Sequence, residues 1–255
     1  MTLIGAQVKG AIQRAADFLI PPTCPLCQDI VARPGGLCAA CWAELPVLSG
    51  RPCVSCGLPP LSGGDGGDKM PCDCEHLPQL YDQRRAVMRY EGAARTLILR
   101  FKHADRTDCA PDLARLMMTG VRGLERECDL IVPVPIHWRR YLGRRYNQSA
   151  LLADHLGAQA GVPVGQGLVR TRPTPPQSGG RGKRTKNVRD AFALDMDVTG
   201  KRVLLVDDVM TTGATLGACA ALLKDAGAAA VHYAVLAAVP PARKGVGKQR
   251  ANLRP

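Results

Sequence analysis

From Val203 to Leu216 the chain reads VLLVDDVMTTGATL: four apolar residues, two adjacent aspartates, then three threonines and a glycine within five positions. Four consecutive apolar residues suit a strand buried on both faces, as in a parallel sheet covered by helices on each side. Two adjacent carboxylates resist burial, so the strand is expected to end at Val206, with a helix starting near Thr215. The first N–H groups of that helix would point outward and carry partial positive charge. Thr211, Thr212 and Thr215 add hydroxyl donors, and Gly213 permits close approach, which together make a cradle for a phosphate. Asp207 and Asp208 precede the cradle and could accept hydrogen bonds from two vicinal hydroxyls. A diol followed by a monophosphate describes a ribose 5-phosphate.

The second half of the chain supports such a sheet. AVMRYEG reads as a strand, and AARTLILRFKH as a helix with Leu97, Ile98 and Phe101 on its apolar face. DLARLMMTGVRGL is a second helix, and DLIVPVPIHW is a buried strand that leaves the sheet at Pro133. NQSALLADHLGAQAG is a helix stopped by Gly161, VPVGQGLVR a short strand, TLGACAALLKDAG a helix ending at Gly227, and AVHYAVLAAV a last strand. Alternating strands and helices predict an α/β fold with a parallel sheet and helices on both faces. Ligands of such sheets bind at the carboxyl ends of strands, where both the prolines after Val132 and the two aspartates lie.

Cysteines set the first part of the chain apart. Eight of the eleven lie between Cys24 and Cys74, as CPLC (Cys24, Cys27), CAAC (Cys38, Cys41), CVSC (Cys53, Cys56) and CDC (Cys72, Cys74). A two-residue gap turns both thiolates toward one tetrahedral ion, so paired knuckles predict structural zinc, one or two ions. In CDC the gap is a single residue: the pair supplies two ligands, or His76 replaces one, or the second site is degenerate. Filling a site of this kind is worth on the order of 10 kcal/mol, enough to fold a short segment that carries SGGDGGD in its middle. Gly63 to Asp68 reads as a flexible loop between knuckles. Cys109, Cys128 and Cys219 stand singly among apolar neighbours and read as small core residues.

The formal charge of +12, from 34 Lys plus Arg against 22 Asp plus Glu, suggests anionic partners: phosphorylated small molecules, nucleic acid or a membrane surface. The N-terminus does not resemble a secretion signal, because Lys9, Arg14 and Asp17 interrupt its apolar runs. Ile4, Val8, Ile12 and Leu19 fall near helical spacing and predict an amphipathic helix packed on the protein rather than a membrane anchor. No stretch is long enough to span a bilayer, and a cytoplasmic location is expected.

The Val203–Leu216 stretch closely resembles the phosphoribosyl pyrophosphate (PRPP) signature of type I phosphoribosyltransferases. That resemblance implies a PRPP loop from Val206 through Asp207, Asp208, Val209, Met210, Thr211, Thr212, Gly213 and Ala214 to Thr215. In it Asp207 and Asp208 hold the ribose hydroxyls and Thr211–Thr215 the 5′-phosphate. It also implies that the loop after strand Leu130–Val132 binds pyrophosphate with Mg²⁺. Arg139 and Arg140 in that loop have the forked donors that suit phosphate oxygens, with Arg144 and Arg145 behind them. The basic loop Arg181–Arg189 occupies the place of the family's flexible catalytic loop, making Arg181, Lys183, Arg184 and Lys186 candidates to neutralise the leaving pyrophosphate.

Nearly the whole chain, to about Val239, resembles the ComF (competence protein F, GntX-like) family. The segments FLIPPTCPLC, YEGAARTLILRFKH and VPVPIHWRRYLGRRYNQSALLA and the PRPP signature carry the likeness. The expected organisation is an N-terminal amphipathic helix (1–22), a double zinc ribbon (23–78), a type I phosphoribosyltransferase-like domain (79–240) and a basic disordered tail (241–255). The implied activity is pentosyl transfer, displacing pyrophosphate at C1 of PRPP by an acceptor the sequence does not name. From the same family comes a different reading, a cytoplasmic factor that binds single-stranded DNA during uptake, with Trp138, Tyr141 or Tyr146 for stacking and competence proteins as partners. A third reading, a zinc ribbon docking protein partners, needs only the cysteine segment. A receiver domain, which also opens on LLVDD with paired acids for Mg²⁺, would need more strands and helices after that point than the remaining residues can form. A strand end followed by an ordinary threonine-rich cap accounts for the acids or the threonines, but not for their order.

Overall fold

A computed structural model describes residues 21–50, 53, 81–103, 106–136, 146–171 and 191–239. Among them, α1 (Ala39–Ala43) lies in the cysteine segment. It is followed by β1 (Gln83–Arg89), α2 (Gly92–His103), α3 (Ala110–Val121), β2 (Leu130–Pro133) and α4 (Gln148–Ala160). The remainder is β3 (Leu168–Arg170), β4 (Phe192–Leu194), β5 (Arg202–Met210), α5 (Ala214–Asp225) and β6 (Ala230–Ala238). β1, β6, β5 and β2 form, in that order, a four-stranded sheet in which every pairing is parallel.

Both faces of this sheet are covered, and β5 shows why its sequence is apolar throughout. Leu204 and Val206 face a core built with α2, α3 and α4, which includes Leu97, Ile98, Phe101 and Leu152. Val203 and Leu205 face a second core with α5 and β4, which includes Leu216, Leu223 and Phe192. Leu97, Ile98 and Phe101 are all 1% exposed or less, as their spacing predicted. α4 stops at Gly161, whose φ of 69° is the left-handed conformation that glycine adopts without penalty. Cys109, Cys128 and Cys219 are buried, and burial raises all three thiols.

Two elements differ from expectation. β5 does not end at Val206: it continues through both aspartates to Met210, pairing Asp207 with Val235 and Met210 with Ala238 of β6. The acids can stay in the strand because each has polar partners, described below. The VPVGQGLVR segment splits in two. Val164 adds one parallel bridge beside Ile131, and β3 turns away to pair antiparallel with β4, which no sequence pattern announced.

The sheet edge at β1 is sealed by the cysteine segment. Leu48 N–H donates to the Val87 carbonyl (2.8 Å) and Arg89 N–H to the Pro46 carbonyl (3.0 Å), which removes an open edge. The segment is also tied to α2 and α3. Arg100 donates to the carbonyls of Pro25 and Leu26, Arg106 to that of Thr23 (3.0 Å), and Arg33 pairs with Asp112 at 2.9 Å. At Gly35 (φ 74°) a Cβ would collide with the Asp108 carbonyl, so only glycine lets the two parts meet here.

Candidate functional site

The connection from β2 through α4 returns to Val164, outside β2, whereas that from β5 through α5 returns to β6 on the other side. Connections that diverge from neighbouring parallel strands leave a crevice at their carboxyl ends. β5 brings Asp207 and Asp208 to that end, and the start of α4 borders it.

Each acid is held by a different element. Asp207 Oδ1 accepts from the Ser149 hydroxyl (2.8 Å) and from the Asp208 N–H (2.9 Å). Both bonds fall on Oδ1, so among the described residues Oδ2 remains for a ligand. Ser149 sits in the first turn of α4, where the Asn147 side chain caps the helix by accepting the Ser149 N–H (3.1 Å). Asp208, 7% exposed, pairs with Lys102 Nζ at 2.8 Å. Lys102 lies in the last turn of α2. The orphan carbonyls of that turn are taken up by the start of α4, with Tyr146 Oη on Phe101 (2.6 Å) and Gln148 Nε2 on Lys102 (3.3 Å). Burial first, and the Asp208 charge second, push the Asp207 carboxyl up to about 7.

Beyond the acids, Thr211, Thr212 and Gly213 form a bend, and α5 begins at Ala214, one residue earlier than expected. Thr211, Thr212 and Ala214 are exposed, and Gly213 and Thr215 partly so. Gly213 is the N-cap of α5 with φ 71° and makes no side-chain cap bond, so the first N–H groups of the helix face the bend. Thr212 Oγ1 lies 3.5 Å from the Ala214 nitrogen, and Tyr81 Oη 3.4 Å from the Gly213 carbonyl. Val206 is buried, Val209 is half-buried and Met210 is buried with its sulfur accepting from Tyr233 Oη (3.0 Å). Acids and bend are thus contiguous at one strand end, as the motif predicted.

Four residues of this arrangement were not singled out from the sequence: Lys102, Tyr146 as a cap, Gln148 and Ser149. Their signals were present. FKH closes an amphipathic helix, and NQS is an Asn N-cap with a serine in the first turn. Arg139, Arg140, Arg144, Arg145, Arg181, Lys183, Arg184, Lys186, Trp138 and Tyr141 lie outside the described residues. So do the 1–20 portion of the N-terminal helix, the Gly63–Asp68 loop and the tail after residue 240.

A second site lies in the cysteine segment. The sulfurs of Cys24, Cys27, Cys38 and Cys41 all fall within 4.8 Å of one another, and those of Cys27 and Cys38 are 3.5 Å apart. Four sulfurs bound to one tetrahedral zinc at about 2.3 Å would be spaced in this range. The Leu26 and Cys41 N–H groups each donate to a knuckle sulfur at 3.5 Å, bonds that stabilise thiolates. Of the other four cysteines only Cys53 is described. Cys56, Cys72, Cys74 and the alternative ligand His76 lie outside the described residues.

Comparison with known proteins finds a family match over each of the two parts of the chain. A double zinc ribbon family model matches residues 15–75, and a phosphoribosyl transferase domain model matches residues 148–250. The DNA utilization protein YhgH of Salmonella typhi is 33% identical over 84% of this chain and 95% of its own length. Competence protein F of Haemophilus influenzae is 33% identical over 61% of this chain and 72% of its own. The chain belongs to the ComF family. A more distant ComF relative, competence protein ComFC of Bacillus subtilis, is 26% identical over 76% of this chain and 80% of its own. Among solved structures, a purine phosphoribosyltransferase from Pyrococcus horikoshii shares 22% identity over 53% of this chain and 72% of its own, with a TM-score of 0.31. This ComF protein therefore pairs an N-terminal zinc ribbon, whose four-cysteine cluster suits zinc, with a phosphoribosyltransferase-type α/β domain. Among the described residues no helix is long and apolar enough to cross a membrane.

Proposed function

We propose that this ComF protein binds PRPP at the carboxyl end of β5 and transfers its phosphoribosyl group to a nucleophilic acceptor. What carries the reading is the unbroken order, on one strand end, of two carboxylates and a bend open to the first N–H groups of α5. Asp207 and Asp208 accept the ribose 2′- and 3′-hydroxyls. Thr211, Thr212, Gly213, Ala214 and Thr215 wrap the 5′-phosphate with backbone and hydroxyl donors. Ser149 fixes the Asp207 carboxylate, so the diol meets an acceptor already oriented. Arg139 and Arg140 take the pyrophosphate, and Arg181 and Lys183 close over it and keep water out. The Asp207 and Asp208 carboxylates are hard oxygen donors of the kind that would help hold Mg²⁺ brought in with PRPP, and the ion would supply positive charge against the departing pyrophosphate.

The test is isothermal titration of PRPP with Mg²⁺ into the wild type and Asp207→Asn. Saturable one-to-one binding to the wild type, lost in the variant while its fold persists, is the expected result. Equal affinity in both would refute the assignment.

A second reading is favoured by the names of the relatives, which refer to DNA utilization and competence, and by the +12 charge. In it the protein binds single-stranded DNA and the pentose site serves recognition rather than turnover. Tyr146, one of three aromatics considered for stacking, is half-buried with its hydroxyl on Phe101, which leaves less of it for a base. Affinity for an oligonucleotide should then fall steeply with salt. A flat response between low and moderate salt would reject this reading.

A further inference from the structure

Lys102 takes no part in the assignment of PRPP-binding residues above, yet its ammonium is 2.8 Å from Oδ1 of Asp208 and its side chain only 17% exposed. It is held from two sides. Its own helix packs through Leu97, Ile98 and Phe101, and Tyr146 and Gln148 clasp the carbonyls of Phe101 and Lys102. Those two residues flank Asn147 and precede Ser149, which holds the other acid. Lys102 and both aspartates therefore share one scaffold.

An ammonium has three donors, and among the described residues this one has a single acceptor, Asp208. The ammonium is only partly buried, so its two spare donors are open to a further anion entering the crevice. The pentose reading, on which this inference rests, identifies that anion. With the diol on Asp207 and Asp208 and the 5′-phosphate in the Thr211–Thr215 bend, the remaining charged substituent is on C1, next to the hydroxyl-bearing C2. An ammonium one hydrogen bond from an acid that holds the diol is within reach of oxygens on C1. Two carboxylates alone would repel a pyrophosphate there. We propose that Lys102 is a leaving-group residue, which binds the C1 pyrophosphate of PRPP and, before the ligand arrives, is stored against Asp208.

The test compares ribose 5-phosphate with PRPP, each with Mg²⁺, by isothermal titration of the wild type, Lys102→Met and Lys102→Arg. The ratio of PRPP affinity to ribose 5-phosphate affinity should fall about 10- to 100-fold in Lys102→Met, the range for a lost charged hydrogen bond, and partly recover in Lys102→Arg. Thermal unfolding monitors the fold. If Lys102→Met is unstable, Lys102→Met/Asp208→Asn is compared with Asp208→Asn, so that the Asp208 charge is absent from both, and the ratio is again expected to fall. An unchanged ratio, with both ligands weakened in step, would mean that Lys102 only balances Asp208, and would overturn the inference while leaving the pentose site intact. A wild type that binds neither ligand would instead refute the pentose reading, and this inference with it.

Discussion

Replacing Asp207 with asparagine should stabilise the protein at alkaline pH while destroying its binding site. The Asp207 carboxyl is pushed from the ordinary 3.8 up to about 7, by burial first and by the neighbouring Asp208 charge second. Because the folded value lies above the unfolded one, the native state holds this proton more tightly. Its contribution to stability is full below about pH 4 and is lost as pH rises through 7. A shift of about three units at 1.36 kcal/mol each sets an upper bound of about 4 kcal/mol. Asp207 keeps some contact with solvent, so about 2 kcal/mol is the expected size. Asparagine is nearly isosteric, carries no charge, and can accept through Oδ1 both bonds that Asp207 accepts there, from Ser149 Oγ and Asp208 N–H. Thermal unfolding from pH 5 to 8.5 should show Asp207→Asn more stable than wild type at pH 8, with the gap closing toward pH 5. Titration of PRPP should show binding lost. A variant less stable at pH 8, or a gap that does not vary with pH, would refute the reasoning. The outcome expected is that of a site which sacrifices stability for function.

Asp208 should behave in the opposite way. Asp208→Asn strands the Lys102 ammonium in a site 17% exposed and should cost about 2–3 kcal/mol, short of the 3–5 for fully buried pairs, measured by urea unfolding at pH 7.5. Gly213→Ala places a Cβ at φ 71° with only the Met210 sulfur near it, at 3.8 Å. The strain of about 1 kcal/mol should lower the melting temperature by about 2–4 °C, and the added methyl in the bend should weaken ribose 5-phosphate binding in titration. Zinc analysis should return two ions per chain, and a value near one would mean the CDC pair is degenerate. Chelation should release the Arg100 and Arg106 anchors of the cysteine segment and show as increased hydrogen exchange at the β1 edge.

The fold was legible because its strands are apolar without alternation and its helices carry clear stops. Leu97, Ile98 and Phe101 lie where the 3.6-residue period puts them, and Gly161 caps α4 in the left-handed conformation. The acids and bend were legible too, since adjacent residues on one strand need no tertiary information to be neighbours. Where β5 ends was not legible. Local reasoning prices two charges as a break in the sheet, whereas Lys102, 106 positions upstream of Asp208, and Ser149, 58 upstream of Asp207, make both tolerable. β4 was hidden because a three-residue strand has too few positions to show a period. The first cysteine quartet was readable from spacing alone, since each knuckle supplies its own pair of ligands.

A crystal of the wild type grown or soaked with ribose 5-phosphate tests the central claim. The phosphate should sit in the Thr211–Thr215 bend against the first N–H groups of α5, with the two ring hydroxyls on Asp207 and Asp208. Sugar phosphate bound elsewhere, with that bend empty, would contradict it.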